Sequence, residues 1–177
     1  TLVGMIDAAI GGKTGVNLRS GKNLVGAFWQ PCGVVCDTAL LDSLPEREQR
    51  CGRGEMAKYH FLTGDDLLAL DLDERVARCV QIKADIVGND ERESGRRAVL
   101  NYGHTLGHAL EIATDFALAH GEAVAVGMMF AAHLARALGR IDDARVELHR
   151  RVIQQHYGLS VSVPSGIDRQ RLVDLMH

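Results

Sequence analysis

No apolar run in this sequence approaches the roughly 20 residues needed to cross a bilayer, so no membrane helix is expected. Nor does one charge dominate. Lys and Arg number 20, Asp and Glu 23, and the formal net charge is −3. That balance removes the general attraction that draws basic proteins to nucleic acid or anionic membrane. No signal peptide is visible. The four cysteines, Cys32, Cys36, Cys51 and Cys79, are scattered, and the first two form C-x3-C rather than a redox C-x-x-C. They read as reduced thiols of a cytoplasmic protein. Internal repeats and low-complexity tracts are absent.

What is present is apolar material, 46% of the residues, enough for one domain or for one domain and part of a second. The chain opens at TLVGMIDAAIGG, already inside an apolar run, and stops at LVDLMH inside an amphipathic one. Both ends look cut from something longer. Residues 2–10 and VVCD at 34–37 read as buried strands, and GGKTGVNLRSGKN between them as a loop. Asp7 then falls at the end of a strand before Gly11 and Gly12, where ligand contacts sit in α/β sheets. From Pro45 the pattern turns helical, with Ser43 as N-cap and apolar spacing of three and four over 65–89, 95–114, 120–138, 142–157 and 167–176. Asp142 reads as an N-cap, Gly139 and Gly158 as helix stops. The expected fold is an α/β segment over 1–44 followed by an all-α domain over 45–177.

The chemistry concentrates in NYGHTLGHALE, residues 101–111, and HGEAVAVGM from residue 120. His104 and His108, four apart on a helix, share a face, and His120 follows closely. Three imidazoles form a candidate metal cluster that Glu55 can complete. Lys13 and Lys22 lie among glycines, which suits an anion, although no Walker pattern is present. Glu55 and Lys58 are three apart and also fit a plain surface ion pair. Lys83, Arg97 and Asn101 offer cations and an amide, and the surrounding DERESGRR fits a solvated loop as well. Phe28 and Trp29 read as core. His60, His133, His149, His156 and His177 have no partner pattern and read as structural or exposed. Three classes remain open on these residues. One is a zinc hydrolase using HTLGH, weakened because Thr105 stands where that motif needs Glu. Another is a metal-assisted lyase or oxidoreductase on a phosphorylated polyol. The third is a non-enzymatic helical module, which leaves the His, Lys and Gly clusters unexplained.

The blocks GGKTGVN, GKNLVGAFWQP, LPEREQRCGRGEMAKY, IKADIVGNDERESGRRAVLNYGHTLGHALE and HGEAVAVGM resemble the 3-dehydroquinate synthase family of sugar phosphate cyclases, in that family's order and spacing. The resemblance runs from Thr1 to about Gly139 and more weakly to the end. It implies that residues 1–44 end an NAD-binding domain and that 45–177 hold most of a helical metal domain. Glu55, His104 and His120 would ligate Zn2+ or Co2+. Thr1, Asp7, Lys13, Lys22, Leu40, Leu41, Asp42 and Ser43 would contact NAD+. Asp7, Asn23, Lys58, Lys83, Arg97, Asn101 and His108 would form the substrate shell. The implied reaction converts 3-deoxy-D-arabino-heptulosonate 7-phosphate to 3-dehydroquinate and phosphate by transient oxidation, elimination, re-reduction and aldol closure, a step of the shikimate pathway. A relative acting on sedoheptulose 7-phosphate is the alternative. The resemblance also implies a cytoplasmic homodimer, a small sugar phosphate as partner, no nucleic acid or membrane, and an isolated chain without activity. Departures are Ala8-Ala9 where the family often has Ser-Ser, and Gly54 where it often has Ala before the metal Glu.

Overall fold

The computed structural model describes residues 1–19 and 21–176, with the strand backbone alone at Asn17, Gly21, Lys22 and Asn23. The side chains of Lys22 and Asn23, and all of His177, therefore lie outside the described residues. Helices dominate: α1 (Glu46–Thr63), α2 (Leu72–Asn89), α3 (His104–Ala113), α4 (His120–Ala137), α5 (Asp143–Arg150) and α6 (Arg169–Leu175). A hairpin of β1 (Val16–Leu18) and β2 (Gly21–Val25) pairs Val16 with Val25 and Leu18 with Gly21, antiparallel.

The strand expectations are corrected by the structure. Residues 2–8 are helical, with a π-helical segment at Gly4–Ala8, so Asp7 sits on a helix rather than at a strand end. A short apolar run suits either period. Here the helical one places Leu2 and Ile6, one turn apart, in the core together. VVCD forms no strand, and Val35 is 95% exposed. The expected loop instead holds both strands. Its pairing escaped notice because Val16, Leu18, Leu24 and Val25 are all exposed, so no buried face imposes an alternation. Phe28 and Trp29, expected in the core, are exposed as well.

Helix boundaries follow local hydrogen bonding. Pro45, not Ser43, is the N-cap of α1, and Ser43 Oγ donates to the Leu40 carbonyl at 3.0 Å. Glu46 and Glu48 place negative charge at the free N–H groups of the first turn. Segment 65–89 breaks because Asp71 and Glu74 form a reciprocal capping box that starts α2. Segment 95–114 breaks into a 3-10 turn at Arg96–Asn101 and then α3, separated by Gly103 with φ of 81°. A Cβ there would also meet Met128 Cγ and the Val124 carbonyl at 2.7 Å, so the turn needs glycine on two counts. The last three segments are helical, the second continuing into a π-helical Arg151–His156. Asp142 caps α5 through the Arg145 N–H at 2.8 Å, and Gly139 and Gly158 adopt the left-handed conformation of helix stops.

The centre is a close crossing of α1, α3 and α4. A Cβ on Gly54 would overlap the Gly121 backbone, and one on Gly121 would overlap the Cys51 carbonyl. Gly54 is thus a contact surface, not merely a helix position weaker than Ala by ~1 kcal/mol. The main core includes Met56, Tyr59, Cys79, Ile82, Val124, Met128 and Ile153. A smaller one of Leu106, Ala109, Leu110, Ala123, Val126 and Leu172 joins α3, α4 and α6. All four cysteines are free. Among the described residues no helix is long and apolar enough to cross a membrane.

Candidate metal and substrate site

Three helices deliver the site. Glu55 and Lys58 lie one turn apart on α1, His104 opens α3 and His120 opens α4. The turn between α3 and α4 passes through Asp115 and Phe116 in the left-handed region. Arg47 of α1 clamps that turn by donating to the carbonyls of Phe116 at 3.0 Å and Ala117 at 3.3 Å. Glu122 accepts the Ala119 N–H at 3.2 Å and pairs with Arg50 at 3.0 Å, which fixes the start of α4 against α1.

The His120 Nε2 stands 2.9 Å and the His104 Nε2 3.3 Å from the same Glu55 oxygen, Oε1. One donor atom from each residue falls within a 4.8 Å circle. Glu55 is 1% exposed, while the histidines are half-buried. Two imidazole nitrogens facing one carboxylate oxygen need a cation or a proton between them. Donors on a tetrahedral ion at ~2.1 Å stand ~3.4 Å apart, so this set fits zinc or cobalt after a small opening. His108, one turn along α3 and exposed, has its ring 5.3 Å from that of His104 and 6.0 Å from that of His120.

Beside this trio lies a charge relay of Asp7, Lys58 and Lys83. Lys58 is 1% exposed, with Nζ 2.6 Å from Glu55 Oε2 and 2.9 Å from Asp7 Oδ2. The alternative of a plain surface pair for Glu55 and Lys58 is thus excluded, since both are buried. Lys83 pairs with Asp7 Oδ1 and donates to the Asp7 carbonyl at 2.6 Å. Burial pushes Glu55 up, but the Lys58 charge and the histidine hydrogen bonds outweigh it and hold its carboxyl well below the usual range. Burial pushes Lys58 down, but Glu55 and Asp7 together raise it. For Lys83 burial outweighs the attraction of Asp7, the neighbouring Lys58 charge adds to the loss, and its ammonium is held below the usual value. Burial also lowers His120, but hydrogen bonds to Glu111 and Glu55 overcome this and push it up to about 9.

The other expected residues gather nearby in a second group. Arg97 is 1% exposed, so DERESGRR is not simply a solvated loop. Its guanidinium donates to the Gly11 carbonyl at 2.7 Å and to the Glu91 carbonyl, and faces the Phe28 ring at 5.9 Å. Gly11 has φ of 95°, and a Cβ there would lie 2.8 Å from Arg97 Nη2. Lys13 pairs with Glu93, which also accepts from Asn101 at 2.8 Å. Lys13, Phe28 and Glu93 line a cavity of about 430 Å³. A larger cavity of about 900 Å³ includes Asn101 in its lining with Phe61, Ile82, Arg96, Tyr102 and His149, and none of Glu55, His104 or His120 reaches it. On the N-terminal side Thr1, Leu40, Asp42 and Ser43 are exposed, whereas the Leu41 side chain is held in the core.

Sequence reasoning missed three residues. Glu111 meets His120 Nδ1 at 3.3 Å. Its position seven after His104, two turns along one face, was the available signal. Glu93 ties Lys13 to Asn101 from a left-handed backbone. Asp90 accepts the N–H groups of Ser94, Gly95 and Arg97 at 2.8–2.9 Å, bonds led by that of Arg97, which hold its carboxyl at about 2. Both lie in DERESGRR, where charge density hid them.

Residues 32–177 match the family model for the 3-dehydroquinate synthase C-terminal region, and residues 1–51 match that for its N-terminal region. The chain belongs to the 3-dehydroquinate synthase family. Within it, the chain is 54% identical over 177 residues to the "Putative aminodehydroquinate synthase" of Amycolatopsis mediterranei (strain S699), covering all of this chain and 50% of that protein. It is 49% identical over 168 residues to the 3-dehydroquinate synthase of Thermobifida fusca (strain YX), covering 87% of this chain and 46% of that one. The chain thus spans about half the length of the curated relatives it matches. A solved 2-deoxy-scyllo-inosose synthase, complexed with carbaglucose-6-phosphate, NAD+ and Co2+, superposes with a TM-score of 0.89 at 29% identity, over 99% of this chain and 52% of that chain. ValA, the 2-epi-5-epi-valiolone synthase of Streptomyces hygroscopicus subsp. jinggangensis 5008, solved with NAD+ and Zn2+, gives 0.79 at 26% identity, over 99% and 53%. The fold is dehydroquinate synthase-like, a short α/β segment followed by helices.

Proposed function

We propose that the chain is the metal- and substrate-binding half of a 3-dehydroquinate synthase that acts on 3-deoxy-D-arabino-heptulosonate 7-phosphate. The observation that carries this reading is the convergence of Glu55, His104 and His120 beside the Asp7–Lys58–Lys83 relay. Glu55, His104 and His120 hold Zn2+ or Co2+, which when bound supplies Lewis acidity to a substrate hydroxyl. NAD+ supplies reversible hydride transfer, and Thr1, Asp7 and the exposed face of 40–43 form one wall of its site. Lys58 and Lys83 bring two ammonium groups to that wall, and Asp7 orients both. Lys83, buried and paired with Asp7, supplies a cation for an anionic substrate group. Lys13 and Asn101 exchange Glu93 for substrate oxygens, Lys13 on the phosphate side. Arg97 lies against Gly11 and orders that loop for the carboxylate. His108, exposed beside the metal trio, is placed to shuttle protons. The complete enzyme is a cytoplasmic homodimer, and the isolated chain is inactive because it offers NAD+ only part of a site.

A second reading keeps the same machinery for an amino-substituted heptulosonate phosphate. It is favoured by the 54% identity to the protein named for aminodehydroquinate synthesis. The test is phosphate release by the full-length protein with NAD+ and metal, offered the hydroxylated substrate, its amino analogue and sedoheptulose 7-phosphate. Turnover of the first alone, lost on chelation, is the expected result. Preference for the amino analogue transfers the assignment to the second reading, and turnover of sedoheptulose 7-phosphate alone rejects both.

A further inference from the structure

His120 stands between two carboxylates. Its Nε2 lies 2.9 Å from Glu55 Oε1, and its Nδ1 lies 3.3 Å from Glu111 Oε2. Glu111 is 6% exposed, on α3, one turn beyond His108 and two beyond His104. A neutral imidazole offers one nitrogen to a cation only when the other carries the proton. The acceptor that meets that N–H therefore fixes both tautomer and ring plane. We propose that Glu111 is a positioning residue of the metal centre: it accepts the Nδ1–H of His120 and commits Nε2 to the cation. This inference rests on the metal-centre reading above and adds a residue to it.

The competing arrangement makes Glu111 a ligand, since Glu111, His108 and His120 also bring donor atoms within 4.8 Å of one another. One feature argues against it: that arrangement would take its third donor from His108, which is exposed. The Glu55 arrangement instead joins three different helices around one buried carboxylate oxygen.

The test is a Co2+ titration of the metal-free chain, read by the visible absorption of the bound ion. It compares the unaltered chain with Glu111→Ala, Glu111→Gln, Glu55→Ala and Leu172→Ala. Leu172 is an apolar member of the smaller core and offers no donor atom of its own, so its variant reports loss of packing. Glu111→Ala is expected to bind Co2+ ~10- to 100-fold more weakly, with a displaced spectrum. Glu111→Gln, which keeps an acceptor oxygen, should recover most of the affinity, and Leu172→Ala should bind like the unaltered chain. Unchanged affinity and spectrum in Glu111→Ala overturn the inference. So does an equal loss in Leu172→Ala, which would make the effect one of packing. Retained binding in Glu55→Ala moves the cation onto Glu111 and overturns it too. If the unaltered chain binds no Co2+, the metal-centre reading itself fails.

Discussion

Around Glu55 the chain is closed by backbone meeting backbone, whereas around Lys13 it is closed by polar side chains reaching across an exposed hairpin. At the first place Gly54 and Gly121 let α1 and α4 touch, and the carboxylate and both lysine contacts are sealed inside. At the second, Lys13 with Glu93, Gln30 with Glu91 at 2.9 Å and Arg97 with Gly11 tie the N-terminal segment to one loop. Trp29 is 76% exposed there. The two regions suit different tasks. A metal centre needs donors held to a few tenths of an ångström, which packed helices provide. A site that must admit and release an anion is better built from contacts that open cheaply.

The sharpest way to break this contrast is Glu55→Ala. It leaves Lys58 buried with Asp7 as its remaining ion-pair partner among the described residues. Removing one partner of a buried ion pair costs ~3–5 kcal/mol, and the surviving Asp7 contact places the expected loss near the lower end. Urea unfolding of the metal-free chain measures it. A loss below ~1 kcal/mol would mean that Asp7 alone satisfies Lys58, and that the pair is not what seals this region.

Gly121→Ala is the next largest. Its new methyl group would overlap the Cys51 carbonyl, and backbone cannot rotate away as a side chain can. Overpacking of this kind costs ~1–3 kcal/mol, which for a domain of this size lowers Tm by roughly 2–4 °C per kcal/mol. Because His120 is the adjacent residue, Co2+ affinity should fall in the same variant. Full affinity despite a lowered Tm would show that the helix crossing and the metal donors are independent.

The same contrast explains what could be read in advance. The helices of the body were legible because burial on one side imposes a three-to-four period, and the His104–His108 spacing survives in any helix. Lys58 was not separable from a surface pair, because burial of an ion pair depends on what packs over it, here Asp7 from the far end of the chain. The hairpin and the N-terminal helix were misread for opposite reasons: the first has no buried face to pattern it, the second is too short for its period to declare itself. Glu111 stood in the most informative motif and was still missed, since a carboxylate serving a ligand looks like any other helix-surface Glu.

A pH series sharpens the comparison from within the metal site. The pKa of His120 is raised to about 9 in the folded chain, above the ~6.5 of an unfolded one. Its contribution to metal-free stability is therefore fully present below about 6.5 and is lost as pH rises through about 9. Metal acts in the opposite direction, because a cation takes the place of the Nε2 proton and binds more tightly as that proton leaves. Melting curves from pH 6 to 9 should thus fall with chelator and hold or rise with Zn2+, and His120→Asn should flatten both. Parallel slopes with and without metal would remove His120 from the coordination set.

The smallest expected effect on stability is at the other region. Lys13 is about half exposed, and exposed ion pairs contribute ~0–1 kcal/mol. Lys13→Met and Glu93→Gln should therefore leave the unfolding midpoint almost unchanged. Their consequences should separate in the full-length protein. Losing Lys13 removes a cation from the proposed phosphate side and should raise KM. Losing the Glu93 charge frees Lys13 from its partner and should lower KM or leave it in place. If both variants instead destabilise by more than ~1 kcal/mol, the hairpin is a structural brace like the helix crossing, and the division between a packed metal side and an openable anion side does not hold.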